Sequence, residues 1–121
     1  MQPDTRDVSY LWDMLQATRE ALDFTRGVTL EAFLQDRQVQ LAVERAVEIV
    51  GEAASRIRHE LREAHPEIPW RKVIAQRNVL AHEYGEVEPT LMWQLVTDHL
   101  PKLAAQIEPL LPPAPSDSEE P

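Results

Sequence analysis

Residues 37 to 64 read Arg-Gln-Val-Gln-Leu-Ala-Val-Glu-Arg-Ala-Val-Glu-Ile-Val-Gly-Glu-Ala-Ala-Ser-Arg-Ile-Arg-His-Glu-Leu-Arg-Glu-Ala. Val39, Val43, Ala46, Val50, Ala53, Ile57 and Leu61 recur at steps of three and four, which is the spacing of one face of an α-helix. The stretch therefore predicts one long helix over 37–64 whose apolar seam faces other helices, and Gly51 beside the seam allows a close approach.

The same period appears on both sides. Val8, Leu11, Leu15 and Leu22, flanked by Trp12 and Met14, predict a first helix over 7–24, and Leu30 to Leu34 a short extra turn or helix. Pro66 and Pro69 form a stiff connection, and Pro69 suits the start of a helix through Trp70, Val73, Ile74, Leu80 and Ala81. Leu91, Met92, Leu95, Val96, Leu100, Leu103 and Ile107 predict a last helical region over 89–110, which Pro101 must kink or divide. Two of the three glycines, Gly27 and Gly85, fall just after helical patterns, where a left-handed cap is expected. The fold expected is all-α: an antiparallel four-helix bundle over 1–111 with a short extra helix, followed by a disordered Pro-rich acidic tail over 112–121.

A chain of 121 residues, 43% of them hydrophobic, fits one domain with a modest core. It has no cysteine, and Met1-Gln2-Pro3-Asp4 lacks the cationic and apolar regions of a signal peptide, so a reducing cytoplasm is the expected location. Charge or proline interrupts every apolar run, which argues against a membrane partner. The net charge is −9, yet Arg56, Arg58, Arg62, Arg71, Lys72 and Arg77 outnumber Glu60, Glu63 and Glu67 two to one within residues 56–77. Arg58, Arg62, Arg71 and Lys72 are thus candidate RNA-phosphate contacts. The structural alternatives are that Arg58 and Arg62 complement a helix dipole and that Arg56 pairs with Glu52 one turn earlier.

Residues 77 to 84, Arg-Asn-Val-Leu-Ala-His-Glu-Tyr, interrupt the apolar stripe with groups suited to RNA chemistry. Arg77 offers a permanently charged planar fork for a phosphate, and His82 can exchange a proton near neutral pH. Arg77 falls where a buried face is expected and needs a partner, either a carboxylate such as Glu52 or a ligand phosphate in a cleft. On an ideal helix Arg77 and His82 point about 140° apart, so one protomer does not aim both at one point. A two-fold homodimer supplies two of each to one cleft. One His82 then takes the ribose 2′-hydroxyl proton and the other protonates the departing 5′-oxygen, while Arg77 steadies the phosphoryl charge. DNA, lacking the 2′-hydroxyl, is not a substrate. The structural alternatives are His82 as a cation near a helix C-terminus, Tyr84 as an ordinary half-buried aromatic, and Arg77 as an ion-pair member.

Arg77-x-x-x-x-His82-x-Tyr84 at a helix end resembles the HEPN superfamily, and specifically its HepT-like toxins. Phe24-Thr25-x-Gly27, Phe33-x-x-Asp36, Gly51-Glu52-Ala53-Ala54, Pro66-x-Ile68-Pro69-Trp70, Arg77-Asn78, and Val87-Glu88 followed by Trp93 are similar to that family's pattern in the same order, over residues 6–108. Glu88 departs from the more usual aspartate, a change expected to touch local capping. The resemblance implies a dimeric helical bundle acting as a metal-independent endoribonuclease, with Arg77 and His82 catalytic and Asn78 at the supporting polar position that follows the arginine. Glu52 either supports the site by orienting Arg77 or another polar group across the bundle, or faces solvent. It also implies a toxin-antitoxin pair, in which a minimal nucleotidyltransferase antitoxin can transfer AMP to Tyr84. No cofactor or metal is expected: His59 and His65 are six apart, not at the spacing of a zinc helix, and there is no glycine-rich phosphate loop. The rival expectation from another class is a non-catalytic helical interaction module that binds the nucleotidyltransferase or a nucleotide.

Overall fold

The structure, a computed structural model, describes residues 3–82 and 88–112, with the side chains of 77–82 excepted. Helix α1 (Thr5–Phe24) opens with Asp4, whose carboxylate accepts the Asp7 N–H at 2.8 Å and so satisfies a donor the first turn leaves free. It closes at Gly27, whose φ of +73° is open to glycine at little cost. Helix α2 (Leu30–Gln35) is capped by Thr29 and α3 (Arg37–Arg56) by Asp36, whose Oδ1 accepts from Val39 N at 3.1 Å. Helix α4 spans His59–Ala64 and α5 spans Trp70–His82.

The helix expected over 37–64 is two helices. Ile57 and Arg58 turn extended, with ψ near 139° and 141°, and separate α3 from α4. The apolar period runs on through the break because Ile57 and Leu61 are still buried, at 2% and 0% exposure. What holds the break is Asp7 on α1. This carboxylate is itself buried, and it accepts from the Arg58 backbone N–H at 3.2 Å and from Arg58 Nε at 2.6 Å.

Just before Pro101 the last helical region changes its hydrogen bonding rather than ending. Helix α6 (Pro89–Gln94) continues through a π-helical stretch, Leu95–His99, into α7 (Leu100–Ile107) and a final 3₁₀ turn, Glu108–Leu110. Proline lacks an N–H and its ring collides with the carbonyl four residues back in a regular helix. The wider turn, in which Leu100 N–H reaches Leu95 O, accommodates it.

Helix α1 packs chiefly on α3, and α3 on α5; α7 lies against α1, and α2 against α6. The first turn of α1 meets the end of α3 through Asp7 and Arg58, and Gln106 near the end of α7 bonds the Glu67 carbonyl just before α5 at 2.8 Å. The first contact sets α1 and α3 antiparallel. Leu11, Met14 and Leu15 of α1, Val43, Val47 and Val50 of α3, Trp70 and Val73 of α5, and Leu100, Leu103 and Ile107 of α7 build the core. Phe33 is fully buried and its ring lies 5.1 Å from that of Trp93, tying α2 to α6. No helix among the described residues is long and apolar enough to cross a membrane. Tyr84 and Gly85, and the tail from 113 onward, lie outside the described residues.

Candidate functional site

The candidate site is carried by α5, and the chain before it fixes that helix from its N-terminal end. Trp70 Nε1 donates to the His65 carbonyl at 2.9 Å, closing the Pro66–Pro69 connection on itself. Trp70 and Val73 are 7% and 5% exposed, and the face they define packs α5 onto α3. The backbone of α5 continues helically to His82, so positions 77, 78 and 82 occupy its C-terminal half. Arg77 stands in register with the face that Trp70 and Val73 bury, while His82 is turned about 120° from Trp70 on an ideal helix. The side chains of Arg77, Asn78 and His82, and all of Tyr84, lie outside the described residues.

Glu52 is half-buried on α3 and lines an open groove of about 230 Å³ with Ile49, Ala53 and Arg56 of the same helix and Tyr10 and Asp13 of α1. Arg56 and Glu52 share this groove without forming an ion pair, and Ser55 instead donates to the Glu52 carbonyl at 2.7 Å. Tyr10 and Asp13 gave no signal in the sequence, because only the packing of α1 on α3 brings them to Glu52.

The four candidate RNA-binding cations occupy different surroundings. Arg58 is held by Asp7 at 2.6 Å, with Asp4 Oδ2 at 3.5 Å, so the fold already balances its charge. Burial opposes ionisation of the Asp7 carboxyl, but the hydrogen bonds and charge of Arg58 outweigh it, and the pKa of Asp7 lies below its ordinary value. The same partner raises the pKa of Arg58. Arg62 on α4 is half-buried, with its Nε shielded from solvent and unbonded among the described residues. Arg71 and Lys72 are exposed on the first turn of α5. His59 pairs with Glu63, and His65 Nδ1 lies 3.3 Å from Glu67.

Several residues of the sequence motifs have structural duties. Phe33 fills the core, Asp36 caps α3, and Glu88 caps α6 by accepting the Thr90 N–H at 3.3 Å.

Comparison with known proteins adds an independent line. The model of a family named ribonuclease HepT-like matches residues 14–110. A candidate RNase of Methanocaldococcus jannaschii is 34% identical over 104 residues, covering 85% of this chain and 95% of that protein. A protein of Thermococcus cleftensis named "Probable ribonuclease HepT" is 40% identical over 101 residues, covering 84% and 92%. A candidate RNase of Caldanaerobacter subterraneus is 31% identical over 102 residues, covering 84% and 91%. No solved structure matches the chain at a significant level.

Proposed function

Because the chain belongs to the ribonuclease HepT-like family, we propose that it is a metal-independent endoribonuclease, the toxin of a toxin-antitoxin pair, with Arg77 and His82 in a site completed by a second copy. The observation that carries this reading is the Arg77…His82-x-Tyr84 motif inside the matched region, with positions 77 and 82 on the C-terminal half of α5. A dimer is supported by the register of α5, where Arg77 and His82 diverge by about 140° and one protomer does not converge them.

One His82 removes the proton of a ribose 2′-hydroxyl, whose oxygen then attacks the adjacent phosphorus. The bond to the 5′-oxygen breaks, and the other His82 delivers a proton to that leaving oxygen. Arg77 donates to the non-bridging phosphoryl oxygens as their charge grows. The products are a 2′,3′-cyclic phosphate and a free 5′-hydroxyl. Asn78 and Glu52 support the site. A nucleotidyltransferase partner restrains it by transferring AMP from a nucleoside triphosphate to the Tyr84 phenol, with pyrophosphate leaving, so that a bulky phosphate stands two residues from His82.

The test is cleavage of a mixed cellular RNA pool in excess chelator by protein whose mass shows Tyr84 unmodified, beside the His82→Ala variant. Cleavage by the unaltered protein that falls about 10²–10⁴-fold in the variant is the expected result. Absent or equal cleavage by both overturns the reading in favour of a binding module.

A further inference from the structure

We propose that Arg71 is a substrate-positioning residue. It holds a phosphate of single-stranded RNA several nucleotides from the scissile linkage, so that the strand runs along the flank of α5 from His82 back toward the helix's first turn. The inference rests on the ribonuclease reading and adds to it the course and minimum length of the substrate.

Of the four basic candidates, Arg71 is the one whose surroundings and register both fit. Arg58 is neutralised by Asp7 and Asp4. Arg62 is half-buried on a different helix. Lys72 is exposed, but it is rotated about 80° from the direction of His82. Arg71 is exposed, and no ion pair reaches it among the described residues. The carboxylate one turn before it, Glu67, lies 3.3 Å from His65 Nδ1 instead.

Positions 71, 75, 78 and 82 advance by four, three and four residues, which keeps them within about 60° of one another on the helix. They carry Arg, Ala, Asn and His. No carboxylate stands on this stripe, in a chain with 21 acidic residues. Ala75 is exposed and presents only a methyl group between the two ends. The face buried by Trp70 and Val73 lies about 140° round the helix, so the stripe points away from the packed surface, where a strand can lie along the helix.

Eleven residues separate Arg71 from His82, about 16 Å of helix axis. A strand stacked at about 3.4 Å per step covers that in about five nucleotides, and an unstacked one in fewer. An arginine there contributes affinity without chemistry. It can grip a phosphate of any sequence, so it extends the substrate rather than choosing a base.

The test uses oligonucleotides carrying one ribonucleotide in an otherwise deoxy strand, which fixes the cut, lengthened one nucleotide at a time on either side. The unaltered protein's KM falls once one arm reaches three to five nucleotides. In Arg71→Ala that gain is lost, about a fivefold rise in KM for the long substrates with kcat and the shortest substrate unchanged. The slope of log affinity against log salt drops by about 0.7 for this single-stranded substrate, and Arg71→Lys keeps most of it. Equal effects on short and long substrates, or no change of slope, overturn the proposal, as does the same length-dependent loss in Lys72→Ala. If the unaltered protein cuts nothing, the ribonuclease reading fails, and the salt dependence of binding to oligouridylate still decides the role of Arg71: an unchanged slope in Arg71→Ala overturns it.

Discussion

Replacing Asp7 with Asn tests how the bundle is locked at the junction of α3 and α4. The Asp7 side chain is 1% exposed and receives two hydrogen bonds from Arg58, one from the backbone N–H at 3.2 Å and one from Nε at 2.6 Å. Asparagine matches its size and retains one carbonyl oxygen, so it keeps one bond, loses the other and loses the charge. A hydrogen bond to a charged group is worth about 1.5–3 kcal/mol. The Arg58 side chain is 38% exposed and turns to water when released, so screening reduces the cost of Asp7→Asn to about 1 kcal/mol. For a domain of this size that lowers Tm by about 4 °C at pH 7. The pH profile carries the sign. The folded-state pKa of Asp7 is depressed below 3.8, so its contribution is present above about pH 4 and disappears as pH falls through the lower folded value. Thermal melts followed by circular dichroism from pH 7 to pH 2 are the assay. The stabilities of unaltered protein and Asp7→Asn should begin to converge below about pH 4 and meet only below the folded-state pKa of Asp7. A Tm difference under 1 °C at pH 7, or one that persists undiminished at pH 2, refutes the reasoning.

Two further substitutions probe the frame that carries α5. Gly27→Ala places a Cβ in open space, with nothing within 4 Å, but at φ +73°, so the cost is backbone alone: about 1–2 kcal/mol by chemical denaturation with an unchanged m-value. Phe33→Ala removes a fully buried ring that also meets Trp93 at 5.1 Å, and the loss should be about 3–5 kcal/mol with quenching or shift of Trp fluorescence; a loss under 1 kcal/mol contradicts the packing of α2 on α6.

Much of the fold was legible because apolar periodicity and capping residues are local signals. The expected first helix over 7–24 is Thr5–Phe24, and the expected short helix at Leu30 is Leu30–Gln35. The α3–α4 break was not legible, because Ile57 and Leu61 keep the seam's spacing and no glycine or proline marks the turn; its cause, Asp7, is 51 residues away. Pro101 announced an irregularity, but a proline alone does not say which form it takes, and the π-helical turn that accommodates it became visible only in the fold. At the site, the excess of basic residues over 56–77 was visible as a sum, while the division of labour within it was not. Arg58 serves the fold, and Arg71 stands exposed at the start of α5. The groove that joins Glu52 to Tyr10 and Asp13 was likewise hidden, since it forms only where two helices meet.

The central claim is that His82 and Arg77 cut RNA through the neighbouring 2′-hydroxyl. The most direct measurement is the cleavage of one oligoribonucleotide in excess chelator, against the same strand with a single 2′-deoxy residue at the cut site, with product ends identified by mass. Cleavage of the ribo strand alone, leaving a 2′,3′-cyclic phosphate and a 5′-hydroxyl, is the predicted result. Equal cleavage of both strands, or a 5′-phosphate on the product, would contradict it.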